Sequence, residues 1–192
     1  MKAGRTMDSN TNVQEQNKNS KLVYNIYDIV SSVVSALGVI FLVFTFVTRV
    51  LVVSGDSMLP TLQNGNSVAI SSVDHKFEYG DIVIITQPNA LEKTLIKRVI
   101  AVGGQKVEID TDTGIVYVDD KPLEENYTLE PTYEKGNMEY PVYVPEGYVF
   151  AMGDNRNNST DSRMTFVGLI DERYIMGKVY FRLAPFGQWK VD

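Results

Sequence analysis

The sequence predicts a mainly β protein, a sandwich or partly open barrel, carried on one N-terminal transmembrane helix. Two features of the 192-residue chain predict this class. One is an uncharged run, residues 29–48, between Asp28 and Arg49. The other is the pattern beyond it, where short runs rich in Val, Ile, Tyr and Phe alternate with Gly, Pro and Asn.

Taken in order, the first 25 residues read as a cytoplasmic tail, and its stretch 8–19, rich in Asn, Gln and Ser, as disordered. Residues 26–49 read as the membrane span. The uncharged core of that span is Ala, Val, Ile, Leu and Phe apart from Ser31, Ser32, Ser35, Gly38, Thr45 and Thr48. As a helix rising about 1.5 Å per residue, it reaches roughly 30 Å, the thickness of a bilayer's hydrocarbon core. A cleavable signal sequence would have a shorter apolar stretch nearer the terminus and a small-residue cleavage site after it. Residues 1–28 carry a net charge of +1 and residues 49–192 a net of −7. Lys18 and Lys21 against Arg49 favour the tail inside and the larger part outside.

Residues 50–192 then form the outer β domain. Its expected strands are 67–73, 81–86, 94–102, 106–110, 114–118, 148–152 and 174–183, with a hairpin turn at 111–114. Residues 123–145, with three Pro and several Tyr and Glu, read as a long surface excursion.

Composition narrows the chemistry. The chain has no Cys and one His. Structural zinc sites, Cys nucleophiles and disulfide scaffolds are thereby excluded, and no cofactor is expected. A net charge of −6 disfavours nucleic acid as a partner. His75, between Asp74 and Lys76 near a turn, reads as a surface residue.

Three stretches carry chemistry. The first is Ser54-Gly55-Asp56-Ser57-Met58-Leu59-Pro60-Thr61-Leu62, just after the span. The second is Ile96-Lys97-Arg98-Val99-Ile100, on an expected strand. The third is the polar loop Met152-Gly153-Asp154-Asn155-Arg156-Asn157-Asn158-Ser159-Thr160-Asp161-Ser162-Arg163. A Ser hydroxyl needs a base to take its proton, and here Lys is the base available. Lys serves only when neutral, so its pKa must fall from about 10.4 towards 7–8, a shift that desolvation can supply. Strand alternation puts Leu95, Lys97 and Val99 on one face and Arg98 on the other, where solvation is expected. Ser57 sits in a turn whose N–H groups suit an oxyanion. Taken singly, these stretches also read as turn material and a solvated strand face. The polar loop fails as a calcium loop: Arg156, Ser159 and Thr165 stand at its third, sixth and twelfth positions.

Together, in this order after a single span, the three stretches resemble bacterial type I signal peptidases (leader peptidases), in a Gram-positive-like single-span form. The resemblance runs from about Val50 to the end, and the twelve-residue loop is its most specific part. It implies Ser57 as nucleophile and Lys97 as general base. Ser159 would orient the Lys amine, and Asp161 and Arg163 would brace the site as a pair. The Ser57 N–H would bind the oxyanion, and Met58 would lie next to the substrate. Val53, Gly55, Leu62, Leu95 and Ile96 would line shallow pockets for small side chains. The chain departs from the family in three places. Gly55 stands where some members carry a Ser that completes the oxyanion hole, and Leu95 where a Tyr is frequent. Ala101-Val102-Gly103-Gly104-Gln105 replaces the frequent Gly-Leu-Pro-Gly-Asp.

The implied activity is a membrane-anchored Ser–Lys endopeptidase that removes signal peptides after small residues. Its implied partners are exported preproteins, the lipid bilayer and the secretion translocon. Ser57 follows Arg49 by eight residues, at most about 26–29 Å of extended chain, which keeps the site near the membrane surface. A self-cleaving repressor with a similar dyad would need a DNA-binding segment where the apolar span stands. A non-catalytic membrane-anchored module would have no need of Ser57, Lys97 and Ser159 together.

Overall fold

The structure is a computed structural model that describes residues 7–73, 75–88 and 93–185. Residues 1–6 of the expected tail and 186–192 of the outer domain lie outside the described residues. The chain divides into two units, one up to Phe46 and one from Val47.

The first unit is a single helix, α1 (Met7–Val47). Within it, Lys21–Leu42 is long and apolar enough to cross a membrane, with a mean hydropathy of 1.7. Apolar residues around its whole circumference, such as the consecutive Val39, Ile40, Phe41 and Leu42, are exposed, as suits a helix whose solvent is lipid. The helix also takes in 8–19, expected to be disordered. No Gly or Pro interrupts residues 7–37, so helix already nucleated in the apolar stretch propagates at little further cost.

Apart from one 3-10 turn at Glu172–Tyr174, the regular elements of the second unit are strands. They are β1 (Thr48–Val52), β2 (Ser67–Ser71), β3 (Ile82–Ile85), β4 (Leu95–Val102), β5 (Lys106–Asp110) and β6 (Ile115–Val118), then β7 (Lys121–Pro122), β8 (Val142–Tyr143), β9 (Tyr148–Met152), β10 (Ile170–Asp171) and β11 (Ile175–Ala184). A seven-stranded sheet runs β1-β2-β11-β3-β4-β9-β10, and a four-stranded sheet runs β7-β6-β5-β8. The fold is mainly β, as expected, and all seven expected strands are present within one or two residues of their bounds. Strands β1, β7, β8 and β10 were not anticipated. Three of them have two residues each, too short for periodicity to register, and β1 follows directly on the apolar run.

Alternation sorts the core. On β3, Val83 and Ile85 face one cluster with Val99, Val149, Ala151 and Ile170. Ile82 and Ile84 face another with Val53, Met58, Leu62, Val68 and Ile70. The third cluster joins the two sheets, with Ile100, Phe150 and Met152 from the larger meeting Val107, Ile109, Val116 and Val118 from the smaller. Because both faces of β4 are covered, its central residues are buried without a break. Arg98 is accordingly 1% exposed, which corrects the expectation that it stays solvated.

The β5–β6 turn is the expected hairpin. Gly114, at φ +73°, closes it with its N–H on Asp110 O at 2.8 Å. The Asp110 carboxylate accepts from the Asp112 N–H and the Thr113 hydroxyl. The excursion 123–145 is largely exposed but not idle. Its Thr132 is buried, and its Tyr127 ring lies 4.0 Å under the Arg98 guanidinium.

Candidate active site

Three segments converge because of strand register. The turn that carries Ser57 leaves β1 and returns into β2. Lys97 is the third residue of β4, and β9 pairs with β4 so that Met152 stands opposite Arg98. The polar loop therefore starts beside Lys97. Its Asn155 N–H donates to Ser57 O at 3.0 Å, which ties it to the Ser57 turn.

Lys97 is 2% exposed, and its Nζ lies 2.7 Å from Ser57 Oγ and 2.9 Å from Ile96 O. Burial drives the amine's pKa down to about 8. The nearby Asp161 carboxylate opposes that shift, Arg163 assists it, and Asp154 opposes it. A buried amine ready to be neutral near physiological pH and in hydrogen-bond reach of a hydroxyl has the geometry of a base–nucleophile pair.

Around the pair, buried ions are matched one for one. Arg163 donates to both oxygens of Asp161 at 2.8 and 2.7 Å, and the Gly153 N–H adds a third bond at 3.0 Å. Burial alone would raise the Asp161 carboxyl. The guanidinium and the Gly153 N–H outweigh it and hold the carboxyl below its ordinary value. Arg98 donates to both oxygens of Asp154 at 2.9 and 2.8 Å, and Thr61, from the end of the Ser57 turn, donates to the same carboxylate at 2.5 Å. Arg156 is bidentate to Glu125 and also donates to Thr132, so the excursion is anchored to the polar loop. The resemblance implies the Asp161–Arg163 pair; the Arg98–Asp154 and Arg156–Glu125 pairings are not legible in the sequence, although Gly153, Asp154, Asn155 and Arg156 all lie within the polar loop.

The anticipated pocket residues divide. Val53, Gly55, Met58, Leu95 and Ile96 line a cavity of about 290 Å³ together with Ser57 and Lys97. Leu62 does not line it; fully buried, it packs with Val68 and Ile70 in the core below the turn. Met176, from β11, is a lining residue that no sequence signal marked. The Ser159 hydroxyl oxygen is buried and has no hydrogen-bond partner among the described residues, so it does not hold the Lys97 amine here.

Gly153 is wedged between Ser159 and the Ser57 carbonyl, and a methyl group on its Cα would overlap both. Ser57 O is a backbone atom and cannot withdraw easily, since Asn155 holds it. Gly153→Ala is expected to displace the Ser57 turn from Lys97 and to destabilise the fold by about 1–3 kcal/mol through overpacking, measured by chemical unfolding.

Comparison with known proteins gives one answer. The signal peptidase family model, peptidase S26, matches residues 26–184. The probable signal peptidase I-1 of Synechocystis sp. is 40% identical over 164 residues, covering 80% of each chain. Signal peptidase IB of Staphylococcus aureus is 36% identical over 177 residues, 83% of this chain and 90% of the relative. A signal peptidase I of Enterococcus faecalis V583, known from its crystal structure, is 25% identical with a TM-score of 0.45, over 54% of this chain and 96% of that one. A family match across most of the chain, with relatives similar over four-fifths of it, is decisive: the chain belongs to the signal peptidase family, peptidase S26.

Proposed function

We propose that the protein is a membrane-anchored endopeptidase that cleaves signal peptides from exported preproteins after small residues, by a Ser57–Lys97 acyl-enzyme mechanism. The observation that carries the mechanism is the 2.7 Å approach of a buried, partly neutral Lys97 amine to Ser57 Oγ at the wall of the cavity.

With Lys97 neutral, the Ser57 hydroxyl donates its proton to Nζ as Oγ attacks the scissile carbonyl. The Ser57 N–H receives the developing oxyanion. Nζ then gives the proton to the leaving amine, and an acyl-enzyme remains. Lys97, neutral again, deprotonates a water that resolves the ester. Asp161 and Arg163 brace the polar loop, and the buried Ser159 hydroxyl orients the Lys97 amine once it is charged. Val53, Gly55, Met58, Leu95 and Ile96 shape the pockets, which by their size favour Ala-x-Ala-like sites. The substrate lies extended along a strand edge.

Residues 26–49 span the bilayer, with the N-terminal 25 residues in the cytoplasm and the β domain outside. The preprotein reaches the site beside the secretion translocon.

The test is mass spectrometry of a preprotein cut by the detergent-solubilised protein across pH 6 to 10. A single cut after a small residue is expected. Because only the neutral amine works, kcat/KM rises about tenfold per pH unit below about 8 and levels above it. Scattered cuts, or a profile flat through pH 8, overturn the proposal.

A further inference from the structure

We propose that Asn155 is a positioning residue whose side chain pins the Asp56–Ser57 peptide, so that the Ser57 N–H is held towards the reacting carbonyl. The inference rests on the reading of Ser57 as nucleophile, and goes beyond it by naming what keeps the oxyanion donor in place.

The geometry is local. A peptide unit is planar and trans, so its C=O and N–H point in opposite directions. The C=O of Asp56 and the N–H of Ser57 belong to one such unit. The Asp56 oxygen accepts from Asn155 Nδ2 at 3.1 Å and from the Leu59 N–H at 3.2 Å, which occupies both of its lone pairs. The Ser57 N–H, on the far side of that plane, has no partner among the described residues. The next peptide is fixed by the same residue, since the Asn155 N–H donates to Ser57 O at 3.0 Å. Asn155 itself is 5% exposed and cannot swing away into water.

Such a clamp is needed in this turn. Gly55, one residue before Asp56, has φ +94° and no side chain, so the backbone on that side is loose. Its N–H is held only by the exposed Asn64, at 3.1 Å. A rotation of the Asp56–Ser57 peptide would exchange the two ends and present a carbonyl oxygen to the oxyanion in place of a donor. Asn155 blocks that rotation from inside the protein. Asn suits the task because an amide donates to the carbonyl, whereas a carboxylate in its place would repel Asp56 O and accept from the Ser57 N–H of the rotated peptide.

The test uses Asn155→Ala and Asn155→Asp in the full-length, detergent-solubilised protein. In Asn155→Ala, kcat is expected to fall roughly tenfold with KM unchanged, as one orienting hydrogen bond is lost. Asn155→Asp, nearly the same shape and with the backbone N–H retained, is expected to fall further, by about 10²-fold. A peptide aldehyde ending in Ala, which adds to Ser57 as a tetrahedral adduct, should weaken in the same order. A non-cleavable peptide of the same sequence should bind both variants as it binds the parent. Equal kcat in the parent and both variants, a loss confined to KM, or a milder effect of Asp than of Ala overturns the proposal. Ser57→Ala, assayed alongside, separates the two levels. Retained activity there sinks the nucleophile assignment, whereas an inactive Ser57→Ala beside fully active Asn155 variants sinks only the clamp.

Discussion

Ser57→Ala is expected to reduce preprotein cleavage by at least about 10³-fold, and Lys97→Met by a similar factor, with the double variant no worse than either. In the proposed mechanism the two groups act as one unit: without Oγ there is nothing to acylate, and without Nζ the hydroxyl keeps its proton. Non-additivity therefore separates a dyad from two residues that merely help to build the pocket. The two substitutions should differ in stability, which adds a second check. Ser57→Ala removes one polar atom at a cavity wall and should be close to neutral. Lys97 is buried with a pKa of about 8 against an ordinary 10.5. Below pH 8 the fold therefore holds a charged amine in a place that disfavours it, at a cost of about 3 kcal/mol. The unfolded chain binds more protons than the folded one between pH 8 and 10.5, so the parent should gain stability as pH rises through that window. Lys97→Met removes both the cost and that pH dependence. Thermal unfolding of the solubilised protein at pH 7 and pH 10 reads the difference. A parent that loses stability relative to Lys97→Met as pH rises would contradict the assignment.

Asp161→Ala is expected to be the most destabilising single change at the site, by about 3–5 kcal/mol. It leaves the Arg163 guanidinium, 2% exposed, without the carboxylate that meets its Nε and Nη2, and it also orphans the Gly153 N–H. Asp161→Leu combined with Arg163→Met should recover much of the loss, since no unpaired ion then remains. Activity should not return, because Gly153 has lost the bond that sets its position against Ser57. The acid limb follows from the same pair. The Asp161 carboxyl is held below its ordinary value, so its stabilisation is complete above about pH 4 and is lost as pH falls through the lowered folded-state pKa. Chemical unfolding of the parent and the single and double variants, repeated between pH 3 and pH 7, measures both effects. A single variant as stable as the double would show that the Asp161–Arg163 pair does not brace the loop.

Whatever depends on local pattern was legible in the chain alone. An uncharged apolar run has one favourable solvent, and β-branched alternation between turn residues has one favourable backbone. Both the helix and the main strands follow from these. The absence of Cys and the single His reduced the choice of base for Ser57 to a Lys, and the order of three stretches carried the family. The tertiary structure decided what depends on which strand lies beside which. Arg98 is buried because β9 and its polar loop cover the face of β4 that alternation alone leaves open, and Asp154 arrives from that loop to neutralise it. Leu62 is core because its turn folds down onto Val68 and Ile70. Asn155 meets Asp56, 99 positions away in the chain, only because β4 and β9 are neighbours. Contacts at that separation follow from strand register, which the pattern of one segment does not encode. The groups of the proposed dyad are thus candidates the sequence offers, while their neighbours in space follow from the pairing of the sheet.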